Sequence, residues 1–577
     1  MSVLSCTRSL AGRVASLLPG RSDLADVRRH PRRDLLAGLT VAVVALPLAL
    51  GFGVSSGLGA EAGLATAVVA GALAAVFGGS NLQVSGPTGA MTVVLVPIAA
   101  AYGPGGVLTV GLVAGLLLVA LAVGRAGKYM QYVPAPVVEG FTLGIAGVIG
   151  LQQVPNALGL DKPEGEQILA VTWRAVEEFA QAPNWTAVAF AAGVAVVMLA
   201  GARLRPTIPF SIVAVIAATI VAQVFRLDGA PPIGDLPAGL PAPSLGFLDL
   251  GSLGTLLPSA VAVAALAALE SLLSASVADG MTVGQRHDPD RELFGQGLAN
   301  IAAPLFGGVP ATGAIARTAV NVRTGASSRL AALTHAAVLA VIVFAAAPLV
   351  SRIPLAALAG VLLATAIRMV EVGSLRAMTK ATRSDAVILV LTAAATLALD
   401  LVQAVIIGMV VAGVLALRAV AKQARMDQVP LDRGEYTAEE QALLAEHIVA
   451  YRLDGPLFFA GAHRFLLELA EVADVRVVIL RMSRITTMDA TGALVLKDAV
   501  RKLNRRDIAV MTTGIRPGHR QVLASVGALE LLEAHGRVYA TTPEAIAGAR
   551  THLESGGFLR ALPVQQTAVH AREEPAR

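Results

Sequence analysis

Two stretches carry nearly the same residues in the same order: FGGSNLQVSGPTGA from Phe77 to Ala90, and FGGVPATGA from Phe306 to Ala314. Each ends one apolar run and opens another. In each, Phe-Gly-Gly is followed by proline, threonine, glycine and alanine: Pro87, Thr88, Gly89 and Ala90, then Pro310, Thr312, Gly313 and Ala314. Proline and glycine interrupt a helix. The expectation is an extended approach followed by a short helix that begins inside a hydrophobic environment, tolerated there only where protein or a cavity surrounds it.

The surrounding composition sets that environment. Of 577 residues, 55% are hydrophobic and only 15% charged, with a mean hydropathy of +0.69. A soluble domain carries about a quarter charged residues, and a membrane span needs about 20 apolar residues. Fourteen apolar segments can be drawn, from 35–57 to 401–419, several of them short. The motifs precede the third (88–101) and tenth (312–321). An offset of seven places the two copies in opposite orientation, the arrangement of an inverted repeat. The last two segments, 384–399 and 401–419, meet at Asp400 as a tight hairpin or a broken helix.

With the N-terminus inside, the inner loops hold Arg125, Lys128, Arg203, Arg205, Arg286, Arg291, Arg323, Arg329, Arg376, Lys380 and Arg383. The outer loops hold Asp161, Glu164, Glu166, Glu177, Glu178, Asp228, Asp235 and Asp249. This is the positive-inside pattern, and it places both termini in the cytoplasm. The first 33 residues, with seven arginines, read as a retained cytoplasmic tail with a short amphipathic helix near Leu10–Leu18, not a signal peptide. The single cysteine, Cys6, excludes an internal disulfide or cysteine metal cluster.

Beyond about Ala421 charge becomes frequent. VVIL (477–480) and IAVMTTG (508–514) read as buried strands. FAGAHRFLLELAEVA, TGALVLKDAVRKLNRR and RQVLASVGALELLEAHG read as helices between them, which describes a small α/β domain. The expected domains are 1–33, a tail; 34–420, the membrane part, with repeats at about 34–225 and 252–420; 437–560, the α/β domain; and 561–577, a disordered end.

Helix starts expose unpaired N–H groups and the positive end of the helix dipole. Two of them facing each other make an anion site. Thr88 and Thr312 can add hydroxyls or cap the first turns, and Gly86, Gly89 and Gly313 allow close approach. Small-residue motifs also pack helices, but pairing, matched order and opposite orientation together favour a substrate site. Glu270 lies deep in the eighth segment; an intramembrane carboxylate faces a partner, a cation or a water path. It reads either as a structural hydrogen-bonder or as a proton- or cation-coupling residue. Arg317 either reaches the anion or snorkels inward with Arg323. Glu139 reads as a gating or packing residue, Asp34 as the cap of the first segment, Asn81 and Gln83 as path-lining, and Asp279 with RHDPDRE (286–292) as a solvated face. No P-loop, metal-ligand spacing or nucleophile–base pair suggests an enzyme, a cofactor or a metal. No basic patch interleaved with aromatics suggests nucleic acid.

DLLAGLTVAVVALPLALGFGVSSG (34–57), the two motifs, RELFGQGLANIAAPLFGGVPATGAIARTAVNVRTG (291–325), YRLDGPLFFAGA and MDATGA resemble the SulP anion transporters, and the soluble part resembles their STAS domain. The resemblance covers about residues 31–560. It implies a polytopic α-helical membrane protein of 14 segments in a 7+7 inverted repeat, with core and gate domains in elevator-like motion. It implies a homodimer in the cytoplasmic (inner) membrane, in contact with lipid, with cytoplasmic STAS domains. The family's substrate site maps onto Pro87, Thr88, Gly89 and Ala90, and onto Thr312, Gly313, Ala314, Ala316 and Arg317; its coupling position maps onto Glu270.

Sulfate is the expected substrate, with a proton as coupling ion. Sodium-coupled bicarbonate, proton-coupled dicarboxylate and an anion channel or exchanger are the alternatives. Glutamate rather than aspartate at 270 favours the proton. Related anti-anti-sigma proteins carry Asp-Ser at a phosphorylation motif. Here Asp489-Ala490-Thr491-Gly492 lacks the serine, leaving Asp489 and Thr491 as weak regulatory candidates, with Thr491 read as a helix cap.

Overall fold

The computed structural model describes residues 13, 15–161, 168–205, 208–227, 229–234, 236–237, 239–249, 251–399, 401–429, 446–459, 475–534 and 536–558. Cys6, Glu164, Glu166, Asp228, Asp235, Asp400, most of FAGAHRFLLELAEVA and the 561–577 end lie outside them. The chain forms two units, 1–412 and 413–577.

The first unit is helical. In order it runs α1 (Arg21–Arg29), α2 (Pro31–Ser55), α3 (Ala60–Phe77), β1 (Ser85–Gly86), α4 (Gly89–Val123), α5 (Ala135–Leu158), α6 (Ile168–Gln181), α7 (Trp185–Leu204) and α8 (Phe210–Val224). It continues with α9 (Leu253–Gly280), α10 (Pro289–Leu305), β2 (Thr312–Gly313), α11 (Ile315–Arg323), α12 (Leu330–Val350), α13 (Leu355–Met369), α14 (Val372–Ala381) and α15 (Arg383–Ala398), and α16 (Leu401–Ala421) runs across the boundary between the units.

Each apolar segment coincides with a helix or a helix limb. Segments 88–101 and 105–123 are two limbs of α4, parted at Gly103, whose φ of 67° is non-helical. Among the described residues nine helices are long and apolar enough to cross a membrane, with α13 and α14 counted together as Leu355–Ala381; α8, at 15 residues, is apolar but shorter. α1, α6 and α14 were not legible as apolar runs, because amphipathic or charged helices lack an unbroken hydrophobic signal. Helix α10 packs on α3 and α4, α9 on α4, and α12 on α2 and α3, while α5 packs with α13 and α15 and α7 with α13.

Two loop expectations are corrected. Asp34 is no cap: α2 begins at Pro31, and the buried Asp34 carboxylate instead accepts from the Ser327 and Ser328 N–H groups at 2.6 and 3.2 Å. It holds the loop after α11. Asp279 and RHDPDRE are likewise a built structure rather than a solvated face. Asp288 caps α10 at the Asp290 and Arg291 N–H groups; Asp279 pairs with His287 at 2.7 Å; and Arg291 reaches Asp23 of α1 at 2.7 Å.

Arg329 also pairs with Asp23, at 3.3 Å. Burial pushes the Asp23 carboxyl up. Hydrogen bonds from Arg291 and the Gly20 N–H, with the charges of Arg329 and Arg291, outweigh it and hold Asp23 below the usual carboxylate range. A depressed carboxylate contributes its docking energy above its ordinary pKa and loses it as pH falls through the lowered value. Asp23→Asn is expected to cost about 1.5–3 kcal/mol of α1 docking. Limited proteolysis at α1 then runs roughly tenfold faster at pH 7, whereas the wild type stays protected down to about pH 4.

The second unit is a five-stranded sheet in the order β3 (Arg425–Val429), β4 (Ile448–Leu457), β5 (Val477–Met488), β6 (Ala509–Thr513) and β7 (Val538–Tyr539). β3 runs antiparallel to β4 and the other pairs are parallel. Helices α17 (Ala490–Asn504), α18 (Pro517–Ser525), α19 (Ala528–Glu533) and α20 (Thr542–Ser555) cover it. Alternation along β5 sends Val478 and Leu480 toward Leu496 and Val500 of α17, and Val477 and Ile479 toward Ile546 of α20. RQVLASVGALELLEAHG forms two helices rather than one, broken at Gly527 in the left-handed region (φ 69°). The cap of α17 is Asp489, accepting from the Gly492 N–H at 2.7 Å; Thr491 lies inside the helix and is exposed, which corrects the capping expectation.

Candidate functional site

The two repeated motifs meet. β1 and β2 pair antiparallel, Ser85 opposite Gly313 and Gly86 opposite Thr312, and the Ala314 N–H donates to the Val84 carbonyl at 2.9 Å. Helices α4 and α11 therefore begin beside each other, each straight after its strand. Gly86 has a φ of 149°, and a Cβ there would lie 2.7 Å from Arg317 Nη1, so no side chain fits between strand and guanidinium.

Three side chains of α10 clasp this arrangement. Glu292, Gln296 and Asn300 recur every four residues and share one helix face; all are buried. Glu292 accepts from the Gly79 and Ser80 N–H groups at 2.8 and 3.1 Å. Gln296 donates to Ser85 Oγ at 2.6 Å and to Glu292 at 3.0 Å. Asn300 pairs with both backbone groups of Ala311 at 2.8 Å, as a strand would. On the other side, Thr66 of α3 donates to the Val309 carbonyl at 2.9 Å. Sequence reading missed these clasps, although their four-residue spacing in an otherwise apolar helix was a visible signal. Asn300→Ala leaves the Ala311 N–H and C=O buried without partners, at about 1–3 kcal/mol for each group. A lowered melting temperature in detergent and lost anion uptake are the expected readouts.

Helix α9 ties both halves together. Thr88 Oγ1 donates to Glu270 at 2.9 Å while accepting from the Met91 N–H at 3.3 Å, so it caps α4 and holds the carboxylate at once. One residue on, Ser271 Oγ lies 2.9 Å from Thr312 Oγ1 and accepts from the Gly313 N–H at 3.0 Å. Thr312 thus bonds to α9 and does not cap α11, whose N-cap is Ala314 with no side-chain cap. The first turn of α11 therefore has no side-chain cap on its N–H groups.

Arg317 is 2% exposed, which settles its direction: it does not snorkel. Nη2 donates to the Pro87 carbonyl at 2.8 Å, and Nη1 has no partner among the described residues. Pro87, Thr88, Gly89, Ala90, Thr312, Gly313 and Ala314 are all buried around it, and Ala316 is exposed. Gln83 is buried against Gly313, so it lines no open path; Asn81 borders a cavity of about 350 Å³ with Arg29, Asp279 and His287. Glu139 accepts from Ser374 at 2.8 Å, joining α5 to α14, away from the motifs. Among the described residues no His, Cys, Asp or Glu cluster could hold a metal.

A multi-helix membrane unit with paired helix starts, a buried guanidinium beside them and a carboxylate on the capping threonine defines a transporter of small anions. Residues 32–392 match the sulfate permease family and 441–545 match the STAS domain. The chain belongs to the sulfate permease family, with a C-terminal STAS domain. It is 35% identical to the putative sulfate transporter YvdB of Bacillus subtilis, over 86% of this chain and 94% of that one. It is 31% identical to the bicarbonate transporter BicA of Picosynechococcus, over 84% and 89%. The fold is shared with murine Slc26a9, an anion transporter, at a TM-score of 0.81 and 16% identity over 93% of this chain and 94% of that one.

Proposed function

We propose that the chain moves sulfate across the cytoplasmic membrane by secondary active transport, with a proton as the coupling ion. The observation that carries this reading is the β1–β2 pair, which sets the starts of α4 and α11 side by side with Arg317 and Glu270. Helix-start N–H groups and a guanidinium suit a compact oxyanion. Glu270 is hydrogen-bonded to the residue that caps α4, so its protonation is coupled to the geometry of the anion site.

Fourteen crossings in a 7+7 inverted repeat accord with the seven-segment offset and with the antiparallel strands, which two oppositely oriented halves would produce on meeting. The helices clasping the site (α3, α4, α9 and α10) move as the core against a gate built on α5, α7, α13 and α15, in an elevator-like stroke. Charge asymmetry puts both termini and the STAS domain in the cytoplasm. The working form is a homodimer in the inner membrane. Asp489 and Thr491 stay as regulatory candidates, Asp489 through the loop it binds at the Phe459 N–H.

A second reading, sodium-coupled bicarbonate transport, is favoured by the similarity to BicA. Proteoliposome uptake of labelled sulfate, bicarbonate, dicarboxylate and chloride, under imposed pH or sodium gradients, separates the readings. Sulfate accumulation driven by an inward proton gradient is expected. Accumulation of bicarbonate driven by sodium alone would replace the first reading with the second.

A further inference from the structure

Helix α14 stands between α13 and α15 with almost no slack. Val370 and Glu371 break the chain before it (ψ 98° and 83°), and extended Thr382 breaks it after. Its 10 residues are therefore pinned beside both helices, at the membrane face where those helices end. Ser374 donates to Glu139, in the second turn of α5, at 2.8 Å, which fixes α14 at the inner end of α5.

What α14 presents there is charge. Arg376 and Lys380 lie one turn apart on one face, and Arg368 and Arg383 flank them from the ends of α13 and α15. All four are exposed, and none is ion-paired among the described residues. Against these four cations stand two carboxylates, Glu371 and Asp385, leaving a net charge of +2 over 368–385. The half-buried residues, Ser374, Leu375 and Met378, lie on the other side, and the helix packs on α15 and α5.

Helix α6 supplies the comparison. It stands between α5 and α7 as α14 stands between α13 and α15, and the seven-segment offset makes the two correspond. On α6 the exposed stripe is Leu169, Trp173 and Val176, with Glu177 and Glu178 beside it. A connector in this place thus folds and packs without a cluster of cations. The cations of α14 answer to its surroundings, not to its packing.

We infer that α14, with Arg368 and Arg383, is a binding surface for anionic phospholipid of the inner leaflet, and that this lipid anchors the gate. Four cations clustered on and beside a short helix at the membrane face suit anionic headgroups, with an attraction that falls off within a Debye length. Guanidinium forks pair with phosphate oxygens, and the arginine and lysine stems lie along the acyl boundary. Through the Ser374–Glu139 bond and the packing on α15, lipid held at α14 holds the gate helices while the core moves. The gate and the inner orientation are those proposed above; the lipid is added to them.

The test reads lipid contact locally. Ala377 is exposed next to Arg376, and Cys6 is the chain's single cysteine. Ala377→Cys with Cys6→Ser therefore places one fluorophore on α14 of the full-length protein. In phosphatidylcholine liposomes, spin-labelled phosphatidylglycerol is expected to quench it at about tenfold lower membrane fraction than spin-labelled phosphatidylcholine. Raising the salt from about 0.05 M to about 0.5 M should shrink that preference. Adding Arg376→Gln and Lys380→Gln should cut it to about threefold or less. Equal quenching by the two lipids overturns the inference, as does a preference unchanged in the chain lacking both cations. Quenching by neither would show protein, not lipid, against α14 and overturns it too. The salt comparison needs no substitution at the cations. None of these readouts involves transport, so a failure of sulfate uptake leaves the lipid surface standing. Labelling of the Ala377→Cys variant by a membrane-impermeant reagent from outside would overturn the inner orientation and the leaflet assignment together.

Discussion

Glu270→Gln is expected to abolish proton-driven accumulation of the anion while leaving downhill exchange. The side chain keeps its shape, and its amide oxygen still accepts from Thr88 Oγ1, so the cap of α4 survives. What it loses is the ability to change charge. Each coupled proton sustains about tenfold accumulation per pH unit at zero membrane potential, and the variant should fall to a concentration ratio of one. Uptake with and without a pH gradient, in liposomes of matched protein content, measures this. Undiminished accumulation would remove Glu270 from the coupling role. Glu270→Asp, shorter by one methylene, should lose the Thr88 contact and slow transport without abolishing coupling.

Arg317→Gln is the second large effect. The guanidinium is buried, is anchored at the Pro87 carbonyl, and keeps one nitrogen free beside the two helix starts. Removing one partner of a buried charge pair costs about 2–5 kcal/mol, so anion affinity should fall roughly thirtyfold or more. Arg317→Lys keeps the charge but loses the fork that holds Pro87. It should recover part of the affinity and little of the transport rate. Equal binding by wild type and Arg317→Gln would show that the helix starts alone hold the anion.

Much of this was legible along the chain. The apolar runs correspond to helices because a membrane span announces itself by local composition alone. Strand–helix alternation after Ala421 described the α/β unit for the same reason: each element's pattern is short-range. Proline and glycine in FGGSNLQVSGPTGA and FGGVPATGA marked interrupted helices, since both residues act on their own backbone. Misreadings came where a polar side chain had two possible partners. Asp34 stood in position to cap α2 and instead holds residues 327 and 328. Thr491 stood near a helix start that Asp489 caps. RHDPDRE looked solvated because its partners, Arg13 and Asp23, lie more than 250 residues away.

The sequence by itself determined the membrane class, the α/β domain and the place of the two broken helices, all of which follow from residue type within a turn or two. Only the tertiary structure decided that the breaks pair as antiparallel strands, that Glu292, Gln296 and Asn300 clasp them, and that Arg317 turns inward. The physical reason is range. Hydrophobic period and backbone propensity act between near neighbours, whereas a buried polar group is satisfied by whichever partner the fold brings within 3 Å. In this chain those partners are commonly two hundred residues away.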